Sequence, residues 1–239
     1  MKKRWILLPL FLLPLLACGS DATSPEGETV VLVHGLGRAP ASMAVMAQRL
    51  KWAGYHVAVV SYDSRTTSLH EQAAEVAAVV AGCCVEANKV HFVGHSLGGL
   101  VIRRYLADHR LPSLGRVVLV TPPNQGSMFV DWLSEVPLAA EVLGPVGSAL
   151  GTDSTDIPAR LPPPDYDVGI IAGNRAVHPI GPVVIRGPDD GIVSIEQTRI
   201  GDVPMIILPR SHAFIMNSRH AADATIRFLR TGSFEEGAG

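Results

Sequence analysis

Gly94-His95-Ser96-Leu97-Gly98 sets a serine between two glycines, after an apolar β-branched run and before an apolar helical one. That spacing suits a nucleophilic hydroxyl held on a sharp strand-to-helix turn. Small residues two before and two after the serine let strand and helix approach closely, and Gly99 extends the clearance. A serine hydroxyl needs a base to take its proton, and the base needs a carboxylate to hold its tautomer. At the start of the following helix, the N–H of Leu97 lacks an intrahelical partner and can face a developing oxyanion. His34-Gly35-Leu36-Gly37 ends another apolar run. Alone it reads as a glycine turn, and beside the serine turn it reads as the second half of an oxyanion hole.

These residues require a frame. Residues 29–33 (TVVLV), 56–61, 90–93, 116–120, 168–172 and 205–208 form short apolar runs with strand character. Helical spacing marks residues 43–52, 69–81, 97–109 and 217–230, with Gly54 and Gly82 as stops. Strands separated by helices imply βαβ units and a mostly parallel sheet covered on both faces, with ligands at the carboxyl ends of its strands. From Pro122 to Pro164 the alternation dissolves into short helical pieces. Phe129, Trp132, Leu133 and Val136 share one helical face, and Leu138, Ala139, Val142 and Leu143 another. An insertion of this length is either a lid or a cover packed over the sheet edge.

The chain resembles the α/β-hydrolases, close to small bacterial lipases and esterases and to the GPI-inositol deacylase-like group. The resemblance is carried by Val33-His34-Gly35-Leu36-Gly37, Val93-Gly94-His95-Ser96-Leu97-Gly98-Gly99 and Asp190-Gly191-Ile192-Val193, and spans residues 30–228. It implies an α/β-hydrolase fold in a compact form: a six-stranded, mostly parallel sheet, helices on both faces and a short lid insertion at about 124–165. It also implies that Leu36 donates the second oxyanion N–H, beside Leu97.

In this family the chain order is serine, acid, histidine. His34, His56, His70, His91 and His95 precede Ser96, and His109 lies on the following helix. His178 precedes the acid turn, which leaves His212 and His220. His212 follows a strand end and its segment resembles the family's catalytic histidine loop, whereas His220 falls on the final helix as a surface residue. For the acid, Pro188-Asp189-Asp190-Gly191 is a turn after a strand-like run at 183–186. Spacing alone does not separate the two aspartates, and the resemblance selects Asp190. Asp63 breaks the order.

The chain has 239 residues, 47% of them hydrophobic, enough for one substantial core. Without Lys2, Lys3 and Arg4, 17 basic residues face 22 acidic ones. That balance argues against a nucleic-acid binder. Lys2 to Arg4 and the apolar run at 5–16 form an export signal, because twelve residues of helix span about 18 Å against a ~30 Å hydrocarbon core. The run ends Leu15-Leu16-Ala17-Cys18, which resembles the lipobox of bacterial lipoproteins. The expected plan is a signal at 1–17, a tether at 18–28 lipidated on Cys18, a hydrolase domain at 29–231 and a tail at 232–239. The tether reaches about 33 Å at most, so the body is expected near the membrane of a bacterial cell envelope.

Cys83 and Cys84 read as small, partly buried residues, and Asp153 and Asp156 as loop residues. No HExxH, EF-hand, paired CxxC or GxGxxG pattern is present, so no metal and no cofactor is expected. The sequence thus predicts a monomeric, membrane-anchored serine hydrolase acting on acyl-ester or lipid-like substrates. A thioesterase, lactonase or amidase on the same residues is the alternative. So is a tethered binding protein without turnover.

Overall fold

The computed structural model describes residues 27–235, with residues 139 and 140 described through their backbone only. The expected export signal, Cys18, the expected tether up to residue 26 and residues 236–239 lie outside the described residues. Six strands, β1 (Glu28–Val33), β2 (His56–Val59), β3 (Lys89–His95), β4 (Leu114–Val120), β5 (Val168–Gly173) and β6 (Met205–Leu208), pair in the order β2-β1-β3-β4-β5-β6. Every pairing is parallel, so the sheet is that of an α/β-hydrolase fold in its six-stranded form. The α-helices are α1 (Ala44–Trp52), α2 (Leu69–Cys83), α3 (Leu97–Asp108), α4 (Met128–Ser134), α5 (Ala139–Ser148), α6 (Ile157–Arg160), α7 (Gly181–Val184), α8 (Ile195–Thr198) and α9 (Arg219–Thr231).

The strands are apolar throughout because both faces are covered. Val31, Val33, Phe92 and Leu119 pack with Val76 of α2 and Leu100 of α3. Their neighbours Val30, Leu32, Val93 and Val120 turn the other way, toward Met46 and Leu50 of α1 and Phe228 of α9. All are fully or almost fully buried, and each such side chain contributes about 1.5–3 kcal/mol by leaving water. Ser68 opens α2 with a reciprocal capping box to Glu71.

Strand order reverses between β1 and β3, so their following loops leave toward opposite faces and open a crevice at the strands' carboxyl ends. That crevice brings the turn after β1 and the serine turn after β3 together. The insertion between β4 and β5 covers this end of the sheet with α4, α5 and α6. Val130, Leu143, Val146 and Leu150 are among its buried side chains, while Val136, Leu138 and Val142 face solvent. The two apolar stripes expected from spacing are therefore only partly realised. Leu138 at φ +66° and a break at Gly144 (φ +69°) rotate the pieces away from one continuous helix.

The strand-like run at 183–186 is not a strand. Residues 181–184 form the short helix α7, with Pro182 in its first turn. Proline is pre-set for a helix start and cannot donate to a sheet. At the other end, α9 stops at Gly232 (φ +76°), and Phe234 folds back on Phe228 with ring centroids 4.8 Å apart. The expected tail thus begins with a packed turn. No helix among the described residues is long and apolar enough to cross a membrane.

Candidate active site

Ser96 caps α3 with φ +54° and ψ −125°, a conformation that non-glycine residues rarely hold. Its N–H donates to Val120 O at 2.9 Å, fixing the turn to β4. The flanking glycines are required by space. A Cβ on Gly98 would stand 2.3 Å from Val33 O, and one on Gly94 would stand 2.7 Å from the Gly98 carbonyl. Gly99 is less constrained, its Cβ meeting Pro122 Cβ at 3.1 Å.

The loop after β6 carries His212 and the loop after β5 carries Asp190. His212 Nε2 lies 2.9 Å from Ser96 Oγ, and His212 Nδ1 lies 2.8 Å from Asp190 Oδ2. Asp190 is 2% exposed, with its other oxygen accepting from the N–H of Ile192 (3.0 Å) and Val193 (2.8 Å). Asp189 turns elsewhere: its Oδ1 accepts from Gly191 N–H at 2.8 Å, and burial pushes its carboxyl upward. Ser96, Asp190 and His212 are thus brought together, and Asp189 is not part of the group. His220 is exposed on α9. Asp63 caps its own turn through Arg65 and Thr66.

The turn after β1 faces Ser96. A Cβ on Gly35 would meet His95 Nδ1 at 2.9 Å and Ser96 Cβ at 3.1 Å. Gly37 (φ +62°) donates its N–H to the buried Ser64 Oγ at 2.8 Å, and Tyr62 O–H donates to His34 O. Among the described residues, the N–H groups of Leu36 and Leu97 have no acceptor, which leaves both available at the turn. Burial holds the His34 imidazole below the usual histidine range.

A cavity of about 270 Å³ meets this group, walled by Leu36, Val130, Leu143, Leu150 and Ile192, with Ser96 and His212 on its surface. Four contributors were not legible in the sequence. Arg38 lines the cavity and donates to Ala213 O at 3.1 Å. Ser127 O–H donates to Ile192 O at 2.6 Å and ties the insertion to the acid loop. His178, set aside on chain order, lines the cavity beside Phe129 at 5.5 Å. His95 contacts the His212 loop. None of the four carries a local signal, because each acts through a fold contact. Cys83 is exposed and Cys84 buried. Asp153 holds the backbone and hydroxyl of Thr155, and Asp156 Oδ2 accepts from Asp153 N–H. Among the described residues no three His, Cys, Asp or Glu side chains gather as a metal site.

A parallel sheet with a serine on its strand-to-helix turn, and an imidazole and carboxylate from later loops, defines the class of α/β-hydrolases. Residues 30–223 match the model of the alpha/beta hydrolase family, and the chain belongs to that family. No curated protein sequence matches it. Among solved structures it is similar to the mature Bacillus licheniformis lipase BlEst2, at 20% identity and a TM-score of 0.67, covering 86% of this chain and 91% of that one. It is also similar to the Legionella pneumophila phospholipase PlaB, at 14% identity and a TM-score of 0.63, covering 86% and 60%. A metagenomic carboxyl esterase matches at 19% identity and a TM-score of 0.64, covering 81% and 67%. At these identities the likeness is one of fold.

Proposed function

We propose that the protein is a serine hydrolase that cleaves carboxylic esters through an acyl-enzyme on Ser96. The reading rests above all on the unbroken contact from Ser96 Oγ through His212 to Asp190, at 2.9 and 2.8 Å. His212 takes the hydroxyl proton as Ser96 Oγ bonds to the acyl carbon, and Asp190 holds the imidazole and steadies its cation. The N–H groups of Leu36 and Leu97 stabilise the tetrahedral oxyanion; losing one such donor in other enzymes costs about 2.7–4 kcal/mol of barrier. His212 then gives the proton to the departing alcohol. Water, activated by the same imidazole, attacks the acyl-enzyme and frees the acid.

Ester chemistry is favoured by the apolar cavity and by the lipase, phospholipase and carboxyl esterase among the structural neighbours. A methylene fills roughly the volume of a water molecule, ~30 Å³. A cavity of about 270 Å³ holds about nine such groups, and with the two ester oxygens among them it suits acyl chains of about six to eight carbons. The test is hydrolysis of p-nitrophenyl esters from acetyl to palmitoyl by the full chain and by its Ser96→Ala variant. Serine-dependent turnover with a medium-chain optimum is expected. Full turnover by Ser96→Ala overturns the reading. Phosphonate labelling of Ser96 without ester turnover moves the substrate to thioesters, lactones or amides.

The same proposal covers location: export to a bacterial cell envelope and anchoring through lipid on Cys18, as a monomer. It rests on Leu15-Leu16-Ala17-Cys18 following a short apolar run behind three basic residues. Incorporation of labelled palmitate into the protein, lost in Cys18→Ser, is the expected result. Unlabelled protein in the soluble fraction overturns it.

A further inference from the structure

His95 is 1% exposed, sits immediately before Ser96 on β3, and has its Nε2 3.0 Å from the carbonyl oxygen of His212. A carbonyl only accepts, so this nitrogen carries the hydrogen and donates it. The other ring nitrogen, Nδ1, is buried without a partner and faces Gly35 of the turn after β1. The imidazole is thus wedged between the loop bearing Leu36 and the loop bearing His212. We propose that His95 is a positioning residue: it fastens the backbone of His212 to the strand that carries Ser96, and so sets the gap between nucleophile and base. The inference rests on the reading of Ser96 and His212 given above.

The loop after β6 needs such an anchor. On the acid side, His212 N–H donates to Asp190 O at 2.9 Å. On the nucleophile side, the carbonyl of His212 is held by His95, and that of Ala213 by the exposed Arg38. His212 is therefore fixed through both its own N–H and its own carbonyl, once to Asp190 and once to His95, the residue before Ser96. Catalytic groups must be held within about 0.5 Å, and a misplacement of about 1 Å can cost about 100-fold in rate.

His95 itself is not a second base. Its Nε2 is committed to the carbonyl, and its Nδ1 is buried beside Gly35 without a hydrogen-bond partner. Burial first, and then the neighbouring His212, hold its imidazole well below the usual histidine range. It therefore supplies a hydrogen bond without a charge. A cation in its place would oppose the imidazolium that forms on His212 when Ser96 is deprotonated.

Two substitutions in the full chain test this. His95→Phe keeps the ring volume and removes the donor, whereas His95→Gln keeps an amide donor at similar reach. With p-nitrophenyl hexanoate, His95→Phe is expected to lower kcat by about 10- to 100-fold with KM within about twofold. Phosphonate labelling of Ser96 should slow in parallel. His95→Gln should recover kcat to within about fivefold of the parent at a similar thermal midpoint. If His95→Phe does not fold, His95→Asn, too short to reach the carbonyl, takes its place against His95→Gln. A folded His95→Phe with parental kcat overturns the inference, as does His95→Gln no faster than His95→Phe at equal stability. Loss of turnover in Ser96→Ala beside parental turnover in His95→Phe would leave the serine reading standing and remove the role of His95. Retained turnover in Ser96→Ala would remove both.

Discussion

His212 meets Asp190 twice, through its ring Nδ1 at 2.8 Å from Oδ2 and through its backbone N–H to the Asp190 carbonyl at 2.9 Å. The side-chain contact fixes the tautomer and the backbone contact fixes the loop. Asp189, one residue earlier, serves its own turn instead. Replacing Asp190 by Asn keeps the shape and presents the wrong hydrogen-bonding partner, so kcat should fall by about 10³- to 10⁴-fold with KM little changed. Asp189→Asn should keep kcat within about threefold while lowering stability modestly. Steady-state kinetics on both variants checks the pair, and a larger loss from Asp189→Asn would reverse the assignment.

The serine turn predicts a contrast between adjacent glycines. Gly98→Ala drives a Cβ into two backbone carbonyls, 2.3 Å from Val33 O and 2.5 Å from His34 O, which cannot yield without moving β1. The expected loss is about 3 kcal/mol or more in urea unfolding, with turnover reduced as the turn shifts. Gly99→Ala meets Pro122 Cβ at 3.1 Å as its tightest contact, with the Leu119 side chain at an ordinary 3.4 Å. There the squeeze is offset by up to about 1 kcal/mol of helix propensity. Its unfolding midpoint should stay close to the parent's.

The fold and most of the site were legible because their signals are local. Six β-branched runs between helical stretches set the sheet, and Ser96 and His212 stand in motifs of fixed order. Asp190 against Asp189 was legible only through the family pattern. Adjacent residues share composition and spacing, and differ in where the backbone aims each carboxylate. Val183 to Ile185 misled because a short β-branched run has no periodicity to separate strand from helix, and Pro182 decides it. His95, Arg38, Ser64 and Ser127 act across contacts made only after the crevice forms, so no spacing announces them.

Three buried imidazoles give stability a pH dependence. Burial lowers His34, His91 and His95, with the Glu28 carboxylate partly opposing it at His91. Unfolded histidines bind protons near pH 6.5, whereas the folded ones resist until lower pH. Between those values the unfolded chain holds more protons, so stability rises with pH. This contribution is complete above about pH 6.5 and is lost as pH falls toward the folded values. The thermal midpoint should therefore drop from pH 7.5 to 5.5, as measured by calorimetry. His91→Asn retains an acceptor for Arg116 N–H, which His91 Nδ1 accepts at 2.8 Å, and removes one titrating ring. Its slope should be shallower than the parent's, and an unchanged slope would assign the dependence elsewhere.

The cavity makes the last prediction. Val130 is buried on α4 and forms part of the cavity wall with Leu143 and Leu150. Val130→Phe adds a ring to a space of about 270 Å³, so an acyl chain must give up several methylenes. The chain-length optimum should move from about six to eight carbons to about four or fewer, with acetyl ester turnover within about threefold of the parent. Overpacking costs about 1–3 kcal/mol, so the comparison is made well below the melting transition. Each lost methylene contact removes about 0.8 kcal/mol of binding, and the two beyond butanoyl lower kcat/KM for the hexanoyl ester by roughly tenfold. An unmoved optimum would mean that the acyl chain lies outside this cavity. In that case Val130→Phe would change stability and leave the ester profile as it was.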